Sequence, residues 1–374
     1  MTEITAITMP KWGLTMTEGK IVGWLKQPGD TIAAGDELCE IETSKITNVF
    51  EAPELGVLRR VIAPEGTTLP IGGLIAVIAP ASVSDGDIDA FVAGFKAPEP
   101  AAEDAAADVA EPRDIDAGGK RLRVLDLGSG DPPVLFIHGF GADLNGWMFN
   151  QSALAERHRA LALDLPGHGG SVKQLDRAVD GASFAADIER ALDTFGIEKL
   201  HLVGHSMGGA IAVYFAHWQR ERVASVTLIA PASFGPEING EFITGFVRAQ
   251  RRREMQEVLA LLVHDPGPVS RQMVEDVLRY KRLDGAQAAL ERLAEEWFPS
   301  GIQREGLVDV ATHLGMPVQI IWGRDDRIIP VAHAEALAGR LPVHILDDVG
   351  HLPHMEKAAE VNRLIAEFIA AAAA

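Results

Sequence analysis

The chain is 374 residues long, which exceeds one typical domain and fits a small domain joined to a larger one. Hydrophobic residues make up 47% and charged residues 23%, so a packed core is attainable. The 53 acidic and 34 basic residues give a net charge of −19, which excludes nucleic acid and anionic membranes as general partners. Cys39 is the only cysteine, so no intramolecular disulfide can form, and no motif resembles a zinc or other metal site.

The chain shows neither an export signal nor a membrane segment. Its first fifteen residues alternate polar and apolar side chains, without a charged region followed by an apolar one. No apolar run approaches about eighteen residues, the length that crosses a bilayer. We therefore expect a soluble protein of the cytoplasm that is not exported.

The first eighty residues contain an internal repeat. Residues 19–41 align with residues 56–78, an offset of 37 positions, and three glycines coincide in the two copies. The short apolar runs between these glycines have the length of strands rather than helices. The pattern predicts two similar β-halves that face each other as a small sandwich. The coinciding pairs are Gly19 with Gly56, Gly29 with Gly66 and Gly35 with Gly72.

One lysine lies between the two copies, in the run Glu42-Thr43-Ser44-Lys45-Ile46. Thr and Ser favour a turn there and strand-like residues follow, so Lys45 is predicted at the tip of a connecting hairpin. An isolated exposed lysine is usually only a solvated charge. The position between two repeats is what distinguishes this one.

Residues 3–79 resemble the lipoyl domains of 2-oxo acid dehydrogenase complexes, including the opening run from Met9 to Met16 and the turn that bears Lys45. The resemblance implies that Lys45 carries lipoic acid in amide linkage; the cofactor supplies acyl carriage and redox chemistry, and the protein presents it. Biotin carrier domains share the architecture, but methionines typically flank their lysine. Ser44 and Ile46 flank Lys45, which favours lipoic acid over biotin.

Residues 81–113 are rich in Ala, Pro, Asp and Glu and poor in the apolar side chains that offset the entropy of ordering. We predict a flexible linker here, between a lipoyl domain at 1–80 and a catalytic domain at 114–374. Such a linker would span about 30 Å as a coil and up to about 100 Å when extended, so the carrier could visit more than one active site. A plain spacer between unrelated domains is the alternative, and the apolar residues around 88–95 are compatible with a short helix.

From residue 122 onward, short apolar runs alternate with helical patterns. Nearly continuous apolar runs are typical of strands covered on both faces, so we predict an open parallel sheet. Residues from about 234 to 303 interrupt the alternation with amphipathic helix patterns, which predicts a helical cap. The predicted strands are 134–137, 160–163, 200–203, 226–229, 318–322 and 343–346.

The run Gly204-His205-Ser206-Met207-Gly208 follows one predicted strand and precedes a helical pattern. Glycines on both sides permit a tight strand-to-helix turn that lifts Ser206 out of the sheet. Such a short motif has many false positives by itself. Here an aspartate and a histidine candidate follow the last two predicted strands, which completes the order nucleophile, acid, base.

Residues 120–370 resemble the α/β-hydrolase superfamily throughout. The fold expected for the whole chain is therefore a small all-β lipoyl-type sandwich plus an α/β-hydrolase fold with a helical cap. The resemblance implies that Ser206 attacks an acyl carbonyl, that His351 accepts its proton, and that Asp326 fixes the imidazole tautomer.

Two of these assignments have competitors nearby. The family spacing Gly-x-x-Asp counts from Gly323 to Asp326, which favours Asp326 over Asp325 as the acid. The family base directly follows a glycine, which favours His351 over His354. The histidines at other positions, His138, His168 and His205, are expected to shape loops rather than to transfer protons.

The resemblance also implies an oxyanion hole formed by the backbone amides of Phe140 and Met207. A cap matters for such a site because a thiol acceptor must compete with water for an acyl-serine. Four arginines cluster in the predicted cap, and they form either a solvated helix face paired with acidic side chains or a docking patch for coenzyme A phosphates or the acidic linker. These arginines are Arg248, Arg251, Arg252 and Arg253.

A lipoyl domain joined directly to an α/β-hydrolase domain resembles the dihydrolipoamide acetyltransferase components of bacterial acetoin dehydrogenase complexes. The resemblance implies that a thiamine-diphosphate-dependent component cleaves acetoin and loads acetyl groups onto the Lys45 lipoyl arm. The acetyl group then passes to coenzyme A, with Ser206 as the candidate route. A flavoprotein, dihydrolipoamide dehydrogenase, reoxidises the arm, and a lipoylating enzyme is a further implied partner.

The chain departs from ordinary acyltransferase components of this kind. It has no His-x-x-x-Asp-Gly motif; the run 344–349 only approaches it, on a strand predicted to be buried. No peripheral-subunit-binding domain is evident in the linker. Two other functions therefore stay open, a serine hydrolase (thioesterase or esterase) fused to a carrier, and a lipoyl carrier whose hydrolase domain serves as an assembly scaffold.

Overall fold

The structure, a computed structural model, describes residues 4–10, 16, 18–33, 35–43, 47–95, 110–267, 269–303 and 306–372. The chain divides into two compact units, an N-terminal one built mainly of strands and a C-terminal one that mixes strands and helices. Among the residues described, no helix has both the length and the apolar character needed to cross a membrane.

In its described residues, the N-terminal unit contains eight short strands in two antiparallel sheets. They are β1 (Thr5–Thr8), β2 (Glu18–Trp24), β3 (Thr31–Ile32), β4 (Glu37–Glu42), β5 (Thr47–Glu51), β6 (Gly56–Val61), β7 (Thr68–Pro70) and β8 (Leu74–Ala79). One sheet has the order β1-β8-β6-β3 and the other β5-β4-β2-β7. Fully buried Ile21, Leu38 and Ile41 contribute to the core of this unit.

The predicted sandwich is confirmed, but its two halves interleave. Strand β3 of the first half lies beside β6 of the second, and β7, which the 37-residue repeat relates to β3, lies beside β2, so each sheet takes strands from both halves. Glycines related by the repeat meet the same structural requirement in each half. Gly35 and Gly72 have φ of 87° and 77°, a left-handed conformation that glycine adopts without strain. At Gly19 and Gly56 a Cβ would lie within 2.6 Å of a neighbouring side chain, so close packing requires glycine.

The predicted lipoyl lysine, Lys45, lies outside the described residues together with Ser44 and Ile46. The strands on both sides are described. β4 and β5 pair antiparallel, with Glu42 opposite Thr47 at the end of the ladder. Attachment of lipoic acid at Lys45 stays a prediction.

The first part of the predicted linker is folded. Helix α1 (Asp85–Gly94) begins after Ser84, whose hydroxyl accepts a hydrogen bond from the amide of Asp87 at 3.2 Å. Ile88 of α1 is fully buried in a cluster that includes Val77 and Leu74. These two β8 residues belong to a different cluster from the sandwich core, and α1 covers them. The short helix compatible with residues 88–95 is present as α1, and burial against the sheet offsets the entropy of ordering it. The flexible linker does not extend over α1, and residues 96–109 of the predicted linker lie outside the described residues.

The C-terminal unit is built on an eight-stranded sheet. Its strands are β9 (Arg113–Asp116), β10 (Arg121–Leu127), β11 (Val134–Ile137), β12 (Ala160–Leu163), β13 (Leu200–His205), β14 (Val223–Ile229), β15 (Val318–Gly323) and β16 (Val343–Leu346). The order is β16-β15-β14-β13-β11-β12-β10-β9, and the six strands from β16 to β12 are parallel. The parallel prediction holds for these six. Strands β10 and β9 pair antiparallel at the edge, where exposed charged residues break the apolar runs used to find strands.

Helices cover this sheet and extend it with a cap. Within the described residues, five helices, α5 to α9, lie between β14 and β15; α5 to α8 fall in the stretch in which a cap is predicted, and α9 follows it. The helices of the unit are α2 (Met148–Ala155), α3 (Gly181–Thr194), α4 (Met207–Trp218), α5 (Gly240–Arg248), α6 (Arg252–Leu259), α7 (Arg271–Lys281), α8 (Ala286–Trp297), α9 (Leu307–Thr312), α10 (Ala332–Glu335), α11 (Pro353–Glu356) and α12 (Ala358–Ala372).

Candidate active site

Ser206 lies in a sharp turn between β13 and α4. Its φ of 52° and ψ of −120° are unusual for a residue with a side chain, and such strain persists only where the surroundings enforce it. The amide of Ser206 donates to the carbonyl of Ile229 at 3.0 Å, and its carbonyl accepts from the amide of Gly209 at 2.9 Å. Only 6% of Ser206 is exposed. The turn therefore holds a strained, nearly buried hydroxyl at the carboxyl end of a central strand.

The glycines around Ser206 have a steric reason. A Cβ on Gly208 would lie 2.2 Å from the carbonyl oxygen of Ile137, and a Cβ on Gly204 would lie 2.5 Å from that of Gly208. No larger residue fits either position without moving backbone. This contact brings the first turn of α4 against the end of β11, where the loop of residues 138–141 begins.

His351 and Asp326 form a buried pair. Nδ1 of His351 lies 2.7 Å from Oδ2 of Asp326, and the two side chains are 3% and 0% exposed. The other carboxylate oxygen accepts from the amides of Ile328 at 2.8 Å and Ile329 at 2.9 Å. The carboxylate is thus fixed in place, and it favours the proton on Nδ1. Nε2 is then free to accept a proton, as a general base requires.

His205 connects the nucleophile turn to His351. Its Nε2 donates to the main-chain carbonyl of His351 at 2.8 Å, and the two rings are 4.8 Å apart. Burial lowers the pKa of His205 well below the usual range for histidine, so the ring is neutral. Within the described residues there is no hydrogen bond from the Ser206 hydroxyl to His351. His205 supplies a hydrogen bond between the nucleophile turn and the segment of His351.

The backbone amides of Phe140 and Met207 are unused donors. Neither donates a hydrogen bond to another residue in the described parts of the chain. Met207 is the first residue of α4, where helix amides lack intrahelical partners. The 138–141 loop lies against the serine, since a Cβ on Gly139 would be 3.0 Å from Cβ of Ser206. Two free amides beside a nucleophile can stabilise a developing oxyanion.

His138 shapes this loop. Its Nε2 accepts from the amide of Leu165 at 3.0 Å, so Nδ1 carries the proton that it donates to the carbonyl of Gly139 at 2.8 Å. Burial lowers the pKa of His138 to about 4, which keeps the ring neutral. His168 packs edge-on against it, with 4.9 Å between ring centroids.

Comparison with known proteins places both units. The profile of the α/β hydrolase fold matches residues 132–358, and that of biotin-requiring enzymes, the biotin and lipoyl attachment family, matches residues 5–78. The dihydrolipoyllysine-residue acetyltransferase component of the acetoin cleaving system of Cupriavidus necator is 45% identical over 97% of this chain and 96% of its own. The component of the same name from Pseudomonas putida is 44% identical over 99% of both chains. The chain belongs to this acetyltransferase family.

Solved structures agree with the fold of the C-terminal unit. A meta-cleavage product hydrolase from Pseudomonas fluorescens superposes with a TM-score of 0.64 and 25% identity, covering 70% of this chain and 98% of that one. In this acetyltransferase family, then, the acyltransferase is built on a fold that other proteins use for hydrolysis.

The two competing site residues, Asp325 and His354, have partners other than the buried pair of Asp326 and His351. Asp325 is exposed and pairs with His264 at 3.0 Å. His354 stacks on Trp147 at 4.5 Å and on His205 at 4.6 Å, and its Nδ1 has no partner among the described residues. Burial lowers the pKa of His354 to about 3. His354 therefore has no carboxylate partner among the described residues, and the pair of Asp325 with His264 is exposed, unlike the buried pair of His351 and Asp326.

The run of residues 344–349, which approaches the His-x-x-x-Asp-Gly motif, does not form a buried catalytic site. It lies on β16, the edge strand, where only Leu346 is buried, so the prediction of a buried strand was wrong. Asp347 is 71% exposed and forms an ion pair with Arg324. A histidine mechanism at this strand therefore has no support in this acetyltransferase.

The arginine cluster of the cap is largely neutralised. All four arginines are exposed, and only Arg248 lacks an acidic partner within the described residues. This pattern is typical of a solvated helix face, the plainer of the two interpretations. The pairs are Arg251 with Glu254 at 4.0 Å, Arg252 with Glu275 at 3.8 Å and Arg253 with Glu257 at 3.0 Å.

Proposed function

We propose that the protein passes acetyl groups from a lipoyl arm on Lys45 to coenzyme A, with Ser206 as the intermediate acceptor. One observation carries the proposal: the fully buried carboxylate of Asp326, paired with His351. Removing a charge from water is costly unless a specific partner and hydrogen bonds compensate it. A domain that served only as a scaffold would need no such pair next to a strained serine.

The N-terminal hairpin suits a covalently attached lipoyl group. Strand β4 ends at Glu42 and β5 begins at Thr47, and the side chain of Glu42 is 41% exposed, so the connection that contains Lys45 follows a solvent-accessible strand end. When attached, lipoic acid supplies a thiol that carries acyl groups as thioesters. The chain's own contribution is to present that thiol.

In the first half of the reaction, Ser206 Oγ attacks the thioester carbonyl while Nε2 of His351 takes the hydroxyl proton. The amides of Phe140 and Met207 donate to the oxyanion. The carbon–sulfur bond then breaks, and His351 returns the proton to the departing thiolate. An acetyl ester on Ser206 and a free thiol result, and Asp326 stabilises the imidazolium in between.

In the second half, His351 takes the proton of the coenzyme A thiol, and the sulfur attacks the acetyl-serine carbonyl. The carbon–oxygen bond breaks, and Ser206 regains its proton from His351. The exposed fractions of Ser206 and His351, 6% and 2%, limit the access of water that would release acetate instead.

The names of the relatives make them components of an acetoin cleaving system. We extend this assignment to the present chain. Its partners are then a thiamine-diphosphate-dependent acetoin-cleaving component, dihydrolipoamide dehydrogenase and a lipoylating enzyme, all in the cytoplasm. The similarity to a meta-cleavage product hydrolase supports a second candidate, a carrier-fused hydrolase that uses water as acceptor.

One assay separates these functions. Lipoylated full-length protein, reduced and S-acetylated, is incubated with coenzyme A, and acetyl-CoA and acetate are quantified. We expect acetyl-CoA from the wild type and a loss of transfer on the order of a thousandfold or more in Ser206→Ala. Ser225→Ala, at a buried serine bonded to His201, is the matched control and should retain transfer. Acetate alone would favour the hydrolase, and full activity in Ser206→Ala would favour a scaffold.

A further inference from the structure

The cap places one aromatic ring directly on the 138–141 loop. Phe246 of α5 is 2% exposed, and its ring centroid lies 5.7 Å from that of Phe140, edge-on at 61°. Gly141 has a φ of 71°, and a Cβ there would lie 2.4 Å from Cε1 of Phe246. The ring therefore rests on the backbone next to Phe140 with no space for a side chain between them.

A second cap residue packs against the side chain of Phe140. Phe298, which follows α8, packs edge-on against the Phe140 ring with centroids 5.8 Å apart. The opposite constraint comes from the sheet, where Gly139 lies against Ser206 and His138 donates to the carbonyl of Gly139. The amide of Phe140 is thus held between the nucleophile turn and the cap.

A buried lysine fixes the end of α5 that bears Phe246. Nζ of Lys281 donates to the carbonyls of Phe246 at 2.5 Å, Val247 at 3.0 Å and Ala249 at 2.6 Å. The last carbonyls of a helix lack intrahelical partners, and a cation at that end also favours the helix dipole. Lys281 is 7% exposed, so water contributes little to these contacts. The position of the Phe246 ring over Gly141 is consequently fixed by the hydrogen bonds of Lys281 as well as by packing.

We propose that Phe246 is a positioning residue for acyl transfer, which holds the Phe140 amide where the oxyanion forms. The inference rests on the proposed function, because the Phe140 amide has this role only if Ser206 forms a tetrahedral intermediate. Phe246 acts through the loop and not on the reacting atoms. Its loss should therefore weaken stabilisation of the transition state more than binding of the substrate.

The chain offers a matched pair of variants for the test. Phe242 lies one turn before Phe246 on α5, is 4% exposed, and packs on Phe246 at 5.9 Å. Its ring makes no aromatic contact with Phe140 in the described structure. Phe246→Leu and Phe242→Leu remove the same atoms from the same helix, so they match in lost packing but differ in contact with the loop.

The test is acetyl transfer by the full-length lipoylated protein, together with its affinity for methyl trifluoromethyl ketone, whose adduct with the serine bears an oxyanion. Phe246→Leu should lower kcat by on the order of tenfold to a hundredfold with KM nearly unchanged. Affinity for the ketone should fall in parallel. Phe242→Leu should change both by less than about threefold.

Equal losses in the two variants, or a change in KM alone, would overturn the positioning role. If Phe246→Leu does not fold, Phe246→Met keeps most of the volume without the flat ring, and it should show the same kcat loss in smaller degree. Ser206→Ala separates this inference from the proposed function. Full transfer in Ser206→Ala refutes the proposed function, whereas loss there with normal kcat in Phe246→Leu refutes only the role of Phe246.

Discussion

Nε2 of His205 donates to the main-chain carbonyl of His351 across 2.8 Å, joining residues 146 positions apart. Asp326 holds the side chain of His351, and His205 holds its backbone, so the imidazole is fixed from both ends. The residue before the proposed nucleophile thereby orients the proposed base.

Replacing His205 should uncouple the base from the nucleophile turn. His205→Leu leaves the His351 carbonyl without its donor, which should cost about 1–3 kcal/mol of stability. We expect kcat to fall by at least about tenfold, because small displacements of a base slow proton transfer strongly. His201→Leu, at a buried histidine on the same strand, is the control. Steady-state acetyl transfer decides; equal kcat in both variants would contradict the role of His205.

Asp326→Asn should remove the tautomer control over His351. The amide of the introduced asparagine can donate a hydrogen bond to Nδ1 of His351, which favours the tautomer with the proton on Nε2. Nε2 can then no longer accept the proton of Ser206. We expect kcat to fall on the order of ten-thousandfold, the effect known for this substitution in Ser-His-Asp enzymes. Asp325→Asn, one residue earlier and exposed, should stay within about twofold. Comparable losses from the two substitutions would show that the assignment of the acid is wrong.

His354 should make the protein less stable in acid. Its pKa is lowered to about 3 by burial, whereas an unfolded histidine titrates near 6.5. Between these values the unfolded chain binds more protons, so stability falls as pH decreases, by up to about 1.4 kcal/mol per pH unit. His354→Phe keeps the stacking on Trp147 and removes this titration. Urea unfolding at pH 7, 6 and 5 gives the free energy of unfolding at each pH, and this free energy should change less with pH in the variant than in the wild type. The same pH dependence in both proteins would argue against a neutral, buried His354.

The helix that replaces part of the predicted linker should stabilise the N-terminal unit. Ile88→Ala removes a fully buried side chain from the cover of β8 and should cost about 2–4 kcal/mol, whereas Ile88→Val should cost about 1 kcal/mol. Hydrogen exchange of the β8 amides in the full-length protein measures the effect. Unchanged protection in Ile88→Ala would mean that α1 contributes no stability to the sheet.

Lys45→Arg should abolish lipoylation and leave the fold intact. Intact mass of the natively expressed protein should lack the lipoyl increment in this variant only. Lys26→Arg, at a lysine paired with Asp36 at 3.1 Å, is the control and should be lipoylated normally. A lipoyl increment that survives in Lys45→Arg would place the attachment at another lysine.

Local patterns were enough to predict much of this protein. The β11, β12 and β16 strands begin and end at the residues expected from apolar runs, and the repeat indicated a two-sheet unit. The glycines around Ser206 predicted the turn, and the contact of Gly204 with Gly208, four residues later, is local in the chain. Such features depend on residues close together in the chain, so they are legible before folding.

Contacts between distant residues needed the tertiary structure. The role of His205 depends on a carbonyl 146 positions away, and that of Phe246 on a loop that begins more than a hundred residues earlier. The order of α1 depends on the apolar face of β8 that it covers, and β9 and β10 are strands because an edge of the sheet pairs with them. A side chain's burial and its hydrogen-bond partners arise only when the chain has folded. The local sequence around these residues therefore could not predict their contacts.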